Sequence, residues 1–207
     1  MINKKKPPIK ETVGAQYICF ATANESKTYD GTYEEEVERT DVVKNVSVTE
    51  NGESTVVRAS GADYDNVSSS SGHDIQVEVV AFPAETLAKM RGEIIDVGGL
   101  IVTTTTPVRP FFAYGKVVKM KGGGLRFEWY PKCQLVENTD EVATSEESFS
   151  EQNDTLTIRA FAFNEKNEIK TSINADYKMP EGLTEEKFFS KPILSVSDLA
   201  AIISPGP

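Results

Sequence analysis

The side chains that could perform catalysis begin with a single histidine, His73, which lies between Gly72 and Asp74. A serine or cysteine nucleophile needs a neighbouring base, and that base is usually histidine. No Gly-x-Ser-x-Gly turn occurs in the sequence to accompany His73. A turn residue ahead of a strand is therefore a better interpretation of His73 than a general base.

Carboxylates are abundant, and a pair of them could serve glycoside hydrolysis. They cluster in hydrophilic stretches at Glu34–Glu36, Asp140–Glu141 and Glu146–Glu147. A catalytic pair requires one carboxyl group whose pKa is raised by apolar surroundings, and these stretches supply none. We therefore expect no enzymatic activity.

Metal and phosphate sites are equally poorly supported. The run Asp63–Asn66 lacks the spacing and the final glutamate of a calcium loop. Cys19, Cys133 and His73 are too few for a zinc site, and each cysteine lies in an apolar run that predicts a buried, reduced thiol. The glycine-rich run Lys121–Gly124 opens onto a strand and not onto a helix, so it is no phosphate loop. We expect neither metal nor cofactor.

Period-two alternation of apolar and polar residues dominates the middle of the chain and predicts half-buried strands. In 124–137 the apolar set Leu125, Phe127, Trp129, Cys133 and Leu135 is predicted to share one face. Asn51-Gly52 predicts a tight hairpin between 42–49 and 54–59. Further strands are expected at 15–21, 74–81, 100–104, 111–120, 154–164 and 168–176. The prediction is a mainly β fold, an antiparallel β-sandwich.

Helices are predicted to be short. Residues 83–92 form the main one, with Leu87 and Met90 on one face and Gly92 at its end. Two more are expected near Thr184 and Ser197 in the C-terminal segment. We divide the chain into a flexible N-terminal arm (1–12), a β-sandwich domain (13–178) carrying a long loop at 24–40, and a C-terminal extension with short helices (179–207).

The bulk composition excludes several classes of protein. The chain has 207 residues and a formal net charge of −10, which argues against a protein that grips nucleic acid. No apolar run approaches the ~18 residues of a membrane helix, and the basic start has no apolar stretch behind it. We expect a product of the cytoplasm with no membrane partner.

The order of several segments is specific in combination. The stretch 112–118, the glycine-rich turn, and 127–135 are followed by the acidic run 140–148 and the strand Thr155–Ile158. This order, over residues 13–177, resembles that of the major tail (tail tube) proteins of siphophages and of prophages in Gram-positive bacteria. Residues 77–92 occupy the place of that family's main helix.

The resemblance implies a structural virion protein of a phage tail, made in the host bacterial cytoplasm. It implies a β-sandwich flanked by a helix, hexameric rings, and stacking of those rings into a tube through which phage DNA passes without specific binding. The implied partners are other copies of the chain and the tape measure, tail terminator and distal tail proteins. The family has no catalytic or metal residues to transfer.

Physical reasoning adds candidate residues to this expectation. Carboxylates lining a bore would repel phosphates, so polar strand positions are candidates for facing the lumen. These are Gln76, Glu78, Glu128, Gln134 and Thr157. The acidic block Glu34, Glu35 and Glu36 in the long loop is the candidate inter-subunit contact, and the N-terminal arm and C-terminal extension could clasp a neighbouring subunit.

A second interpretation is a β-sandwich receptor-binding or decoration module of a virion or cell surface. Aromatic side chains could build a stacking platform for a ligand, although strands bury such residues routinely. The aromatic set is Phe111, Phe112, Tyr114, Phe127, Trp129 and Tyr130, of which Tyr130 is left open because it lies on the polar phase of its strand. Such a module predicts a ligand groove and a discrete oligomer.

Overall fold

The computed structural model describes residues 6–22, 28–59, 62–142, 144 and 152–204. Ten strands and three helices lie in these ranges. They are β1 (Lys10–Phe20), β2 (Glu38–Thr40), β3 (Val43–Ala59), β4 (Ala62–Val79), α1 (Ala84–Arg91), β5 (Ile94–Ile95), β6 (Ile101–Val102), β7 (Phe112–Met120), β8 (Leu125–Thr139), β9 (Asp154–Ala160), β10 (Thr171–Asn174), α2 (Glu185–Phe188) and α3 (Val196–Ile203).

One antiparallel sheet contains eight of the strands in the order β2-β1-β7-β8-β9-β4-β3, with β10 also paired to β8. The long strand β8 lies at its centre. Its partner on one side is β7, and on the other side β10 pairs with its first half and β9 with its second half. β5 and β6 form a separate hairpin. The predicted mainly β, antiparallel fold is confirmed.

The sheet curls until β1 and β3, which are far apart in its order, contact each other. One apolar core fills the concave side, with Ile75, Tyr114, Leu156 and α1's Met90 among its buried members. Opposing strands thus face one another across this core as the layers of a sandwich do. The layers belong to one continuous sheet, because β8 and β9 carry the pairing through to β4.

A second core covers the convex side of β1, β7 and β8. Trp129 and Phe127 project from β8 into it, and Phe188 and Phe189 of the C-terminal segment cover them. Phe189 stacks on the Tyr17 ring at a centroid distance of 3.9 Å. The C-terminal segment, predicted as an extension that could clasp a neighbour, is instead packed on its own sheet over residues 183–193.

A β-bulge at Pro131 divides β8 into two halves. Tyr130 pairs with Tyr114 and Cys133 pairs with Phe112, so β8 has one more residue than β7 between these two pairs. The extra residue turns the second half over. Phe127 and Trp129 therefore face the convex core whereas Cys133 and Leu135 face the concave one. The prediction of one continuous apolar face over 124–137 is wrong.

The β3–β4 hairpin is much longer than predicted. Asn51-Gly52 is not its turn but a register irregularity inside β3, where Asn51 pairs with Gly72 and Gly52 with Ser70. The pairing continues to Ala59 and Ala62. β4 therefore includes the residues Ser68–Gly72, which were predicted to form a loop, and also the polar run 63–66.

The remaining boundaries agree more closely with the sequence. The main helix α1 is capped by Gly92, whose φ of 71° is left-handed, and Leu87 and Met90 share a face as predicted, since both pack in the concave core. α2 and α3 begin after the hydroxyl caps Thr184 and Ser195. β1 begins earlier than expected, since Lys10 pairs with Met120 and Val13 with Val118, so the predicted arm is strand from residue 10.

Gly115 tests the packing of the convex core. A Cβ there would lie 2.7 Å from Phe189 Cε1 and 3.0 Å from Trp129 Cε3. Gly115→Ala is therefore expected to lower the free energy of unfolding by about 1–3 kcal/mol through overpacking. Gly124→Ala is the matched control, because its Cβ would meet nothing closer than 3.6 Å. Urea unfolding of both variants measures the difference, and equal stabilities would contradict the close approach.

Candidate functional site

Four of the five predicted lumen residues share one surface of β4, β9 and β8, which we call the polar face. Gln76 pairs directly with Thr157, Glu78 follows two residues along β4, and Gln134 pairs with Arg159 two residues beyond Thr157. Gln76 is exposed and the other three are half-buried. Their apolar neighbours in sequence point into the concave core, so strict alternation separates the two sets.

Charge on the polar face is held in fixed pairs. Arg159 Nε donates to Asp74 Oδ1 at 2.8 Å, and Asn51 Nδ2 donates to Asp74 Oδ2 at 2.7 Å. These hydrogen bonds lower the pKa of Asp74 below its ordinary value. Asn153 donates to Glu78 at 2.9 Å. The face is thus hydrophilic, and these hydrogen bonds orient the carboxylates of Asp74 and Glu78.

Glu128 does not lie on the polar face, and the prediction for it is wrong. It precedes the bulge at Pro131, so its side chain points to the concave side of the sheet while Gln134, beyond the bulge, points to the convex side. Glu128 is 4% exposed and Lys116, its cross-strand partner, is 5% exposed.

The buried carboxylate is surrounded by cations. Lys116 Nζ lies 3.2 Å from Glu128 Oε2, and Lys170 Nζ lies 4.0 Å from Oε1. Arg126 Nε lies 3.1 Å from Oε1 in a geometry that is ionic but not a hydrogen bond. Burial lowers the pKa of Lys116, an effect that the Glu128 charge partly offsets. The sequence could not reveal this cluster, because only the strand register brings the residues together.

A cavity of about 490 Å³ opens beside this cluster, between β1 and β3. Lys44 and Lys170 lie at its wall together with Glu50. Cations outnumber carboxylates among the lining side chains, in contrast to the chain as a whole with its net charge of −10. The cavity is a polar opening into the concave side of the sheet.

His73 is a strand residue and not a turn residue, which corrects the prediction. It lies within β4 and is 7% exposed, with its ring edge-on to Tyr130 at 5.9 Å. Burial lowers its pKa, and Glu50 lies 4.0 Å from Nε2. Its environment is that of a packed core residue.

The cysteines and most of the aromatic set are also core residues. Cys19 and Cys133 are free and buried, and burial raises the pKa of Cys19 to about 12. Phe112, Tyr114, Phe127, Trp129 and Tyr130 are buried, so the open question over Tyr130 is answered by packing. These five side chains form no exposed stacking platform in the subunit.

Within the described ranges, no group of three or more His, Cys, Asp or Glu side chains could hold a metal ion. No helix in the same ranges is long and apolar enough to cross a membrane.

The acidic block lies at the sheet edge. Over the described part of the predicted long loop, residues 28–40 run back along β1 through the Ala21–Tyr33 bridge and β2. Lys89 Nζ of α1 donates to both carboxylate oxygens of Glu34, at 2.9 and 2.7 Å. Glu35 and Glu36 are exposed. Glu34 is therefore already bound within the subunit, and Glu35 and Glu36 remain accessible to a neighbour.

One exposed surface, the β5–β6 hairpin, was not predicted from the sequence. Its apolar side chains are unusually exposed, with Val97 at 105%, Leu100 at 63% and Ile94 at 58%. Contiguous exposed apolar surface on a subunit is typical of an interaction site. The apolar run itself was visible in the sequence, but its lack of cover was not.

Comparisons with known proteins add little. No family model matches the chain, and no curated protein matches it. A chain of the anti-feeding prophage baseplate, solved by cryo-electron microscopy with six-fold symmetry applied, is similar at 11% identity with a TM-score of 0.40. The match covers 84% of this chain and 97% of that one. Similarity at this level carries no argument about function.

Breaking the buried ion pair is expected to be costly. Glu128→Gln leaves Lys116 as an uncompensated buried charge, and we expect a loss of about 3–5 kcal/mol in the free energy of unfolding. Lys116→Met/Glu128→Leu removes both charges and should lose less than the sum of the single variants Lys116→Met and Glu128→Leu, by about 1–3 kcal/mol. Chemical denaturation of the four proteins measures this coupling. Additive losses would show that the pair is not coupled.

The same pair predicts a pH dependence. The folded-state pKa of Lys116 lies below its ordinary value of 10.5, so between the two values the unfolded chain binds more protons and stability rises with pH. Glu128→Gln removes the offsetting charge, and its stability deficit should shrink as the pH is raised toward 10.5. Adding Lys116→Met should remove this trend. A deficit independent of alkaline pH would refute the assignment.

Proposed function

We propose that this chain is a structural subunit of a phage tail, without enzymatic activity, whose copies assemble into stacked rings that form a tail tube. The single observation that carries the proposal is the projecting β3–β4 ribbon, defined as residues 51–59 and 62–72. Within the described ranges its two strands pair only with each other, because β9 pairs with β4 from His73 onward.

A ribbon of this kind is incomplete in an isolated subunit. Nine residues of β3 beyond Glu50 extend for roughly 30 Å at about 3.3 Å per residue. An isolated two-stranded hairpin is marginally stable in water, and further strands or a packing partner are needed to hold it. A neighbouring copy of the chain can supply that partner, and the repeated contact would join subunits into an array.

The edge of the sheet supports the same proposal. β3 is the last strand of the order and pairs only with β4 in the described ranges, so its outer edge offers unpaired backbone groups. Natural monomers blunt such edges, whereas edge-to-edge pairing between subunits closes several sheets into a larger barrel. Contacts between different patches of identical chains generate rings and open stacks instead of closed dimers.

The proposed ring number and the proposed path of DNA rest on the sequence resemblance. We propose hexameric rings, with the polar face turned toward the lumen. Asp74 is paired with Arg159, whereas the Glu78 carboxylate accepts from the uncharged Asn153 and would repel phosphate groups, so DNA would pass without being held. The proposed partners are other copies of the chain and the tape measure, terminator and distal tail proteins, and the proposed location is the tail of a virion.

A receptor-binding or decoration module is the alternative. The cavity beside Glu128, with Lys44 and Lys170 at its wall, is the observation in its favour, since it could receive an anionic group. This function predicts a discrete oligomer of fixed size and a soluble ligand, and it assigns no role to the ribbon.

Electron microscopy of the concentrated protein tests the proposal. We expect hollow tubes of uniform diameter from the wild-type chain. A variant in which residues 53–69 are replaced by Asn-Gly should lose the tubes, because its ribbon is shortened while the pairing of β4 with β9 is intact. Its thermal unfolding should remain cooperative.

Two outcomes would count against this function. Discrete particles of one stoichiometry in the wild type would favour the recognition module. Tubes formed equally well by the shortened variant would show that the ribbon does not join subunits.

The orientation of the polar face can be tested by thiol labelling of assembled tubes. The native cysteines are buried, so a cysteine placed at Gln76 is the reactive thiol. A maleimide carrying a bulky polymer should label Gln76→Cys in the free subunit but react much more slowly after assembly, because the lumen excludes the polymer. Glu186→Cys is the control, because Glu186 is exposed on α2 over the convex core of β1, β7 and β8 and not on the polar face. Fast labelling of Gln76→Cys in tubes would place the polar face outside.

A further inference from the structure

The apolar hairpin, residues 94–102, is largely uncovered by the described part of its own subunit. Exposed fractions are 58% for Ile94, 45% for Ile95, 105% for Val97, 63% for Leu100, 39% for Ile101 and 42% for Val102. Its principal packing partner in the described ranges is α1, which immediately precedes it. An apolar surface this concentrated is costly in water unless something covers it.

The hairpin is presented in a defined shape. Asp96 N–H donates to Leu100 O at 2.9 Å across the turn, and Thr103 Oγ1 donates to Glu93 Oε1 at 2.7 Å at its base. Gly92, left-handed at the end of α1, sets its direction. A pre-ordered element loses little conformational entropy when it is bound.

The same chain carries an apolar groove on another surface, between residues 164–173 and 188–199. Its volume is about 530 Å³, and Ile173, Phe188, Ile193, Val196 and Leu199 line it. Val196 is 84% exposed, and no residue of α3 is fully buried although Leu199, Ile202 and Ile203 are apolar. Lys166, Glu168 and Lys170 lie at its polar side.

We infer that this groove receives the apolar hairpin of a second copy of the chain. The two patches are apolar, they lie on different elements of one subunit, and their charges are complementary. Asp96 is exposed at the tip of a hairpin in which residues 92–108 contain no Lys or Arg, while Lys166 and Lys170 outnumber Glu168 at the groove. Lys166 is the groove cation for Asp96, since Lys170 Nζ also lies 4.0 Å from Glu128 Oε1. Because patch and groove are distinct, the contact is head-to-tail and propagates from copy to copy.

This inference rests on the proposed function, because it requires that copies of the chain associate. It adds a second contact between subunits, separate from the β3–β4 ribbon. A lipid surface is the less favoured occupant of the hairpin, because basic residues near the apolar tip would be expected for an anionic membrane and this tip has an aspartate instead.

Cross-linking between two single-cysteine variants tests the inference. Val97→Cys and Val196→Cys are mixed at high concentration and treated with a short bismaleimide, to which the buried Cys19 and Cys133 do not respond. We expect cross-linked heterodimers in the mixture and little product from either variant alone. Val142→Cys, at a position 82% exposed outside both patches, is the matched control when mixed with Val196→Cys.

A second experiment measures how strongly the apolar hairpin contributes to association. Val97→Lys/Leu100→Lys is expected to weaken association by about ten-fold or more, because charged side chains replace the apolar anchors of the contact. Sedimentation equilibrium measures this, with Val142→Lys as the control. Cooperative unfolding of each variant confirms that the subunit is intact.

The outcomes separate this inference from the proposed function. Tubes without a cross-link between positions 97 and 196 would overturn the inference and leave the tail-tube function standing. A cross-link without tubes would support the inference and contradict the proposed tail-tube function. Cross-linking of Val97→Cys to itself would indicate a two-fold contact and overturn it. The inference would also be overturned if no cross-link forms and the wild type floats with phosphatidylcholine vesicles while Val97→Lys/Leu100→Lys does not.

Discussion

The structure depends on one constraint, that a single long strand must serve two apolar cores on opposite sides of one sheet. β8 meets this constraint with the bulge at Pro131. The extra residue of a bulge is left out of the regular pairing, so a proline, which has no N–H to donate, is tolerated there. Before the bulge, Trp129 packs under the C-terminal segment. After it, Leu135 packs in the concave core. The exchange of β10 for β9 as neighbour of β8 occurs over the same stretch.

The buried charge cluster is a consequence of this arrangement. Glu128 precedes the bulge and so points into the concave side, where Lys116 is its partner on β7. Such a pair contributes little net stability, since the desolvation of both ions offsets their attraction. Its effect is on register, because a one-residue slip between β7 and β8 would bury either charge without the other. The pair therefore favours one alignment of the two central strands.

The subunit satisfies its core but leaves its periphery incomplete. Four surfaces are not covered by the described part of the subunit: the β3–β4 ribbon, the outer edge of β3, the apolar hairpin and the groove beside α3. Apolar and hydrogen-bonding surface left open in this way lowers free energy only when another chain covers it. By contrast, the titratable side chains inside the fold, such as His73 and Cys133, are enclosed by packing.

The sequence alone determined the class of the fold and the position of most elements. Alternation over 74–81 and 154–160 predicted strands whose inner faces are buried, and the Pro83–Gly92 pattern predicted α1, because these signals depend on neighbours in the chain. It also placed Gln76, Glu78, Gln134 and Thr157 on one phase. Only the tertiary structure decided that Glu128 belongs elsewhere, that Asn51-Gly52 lies inside a strand, and that the hairpin at 94–102 is uncovered. A bulge, a register and the cover over an apolar surface are set by partners distant in the chain, and local periodicity carries no information about them.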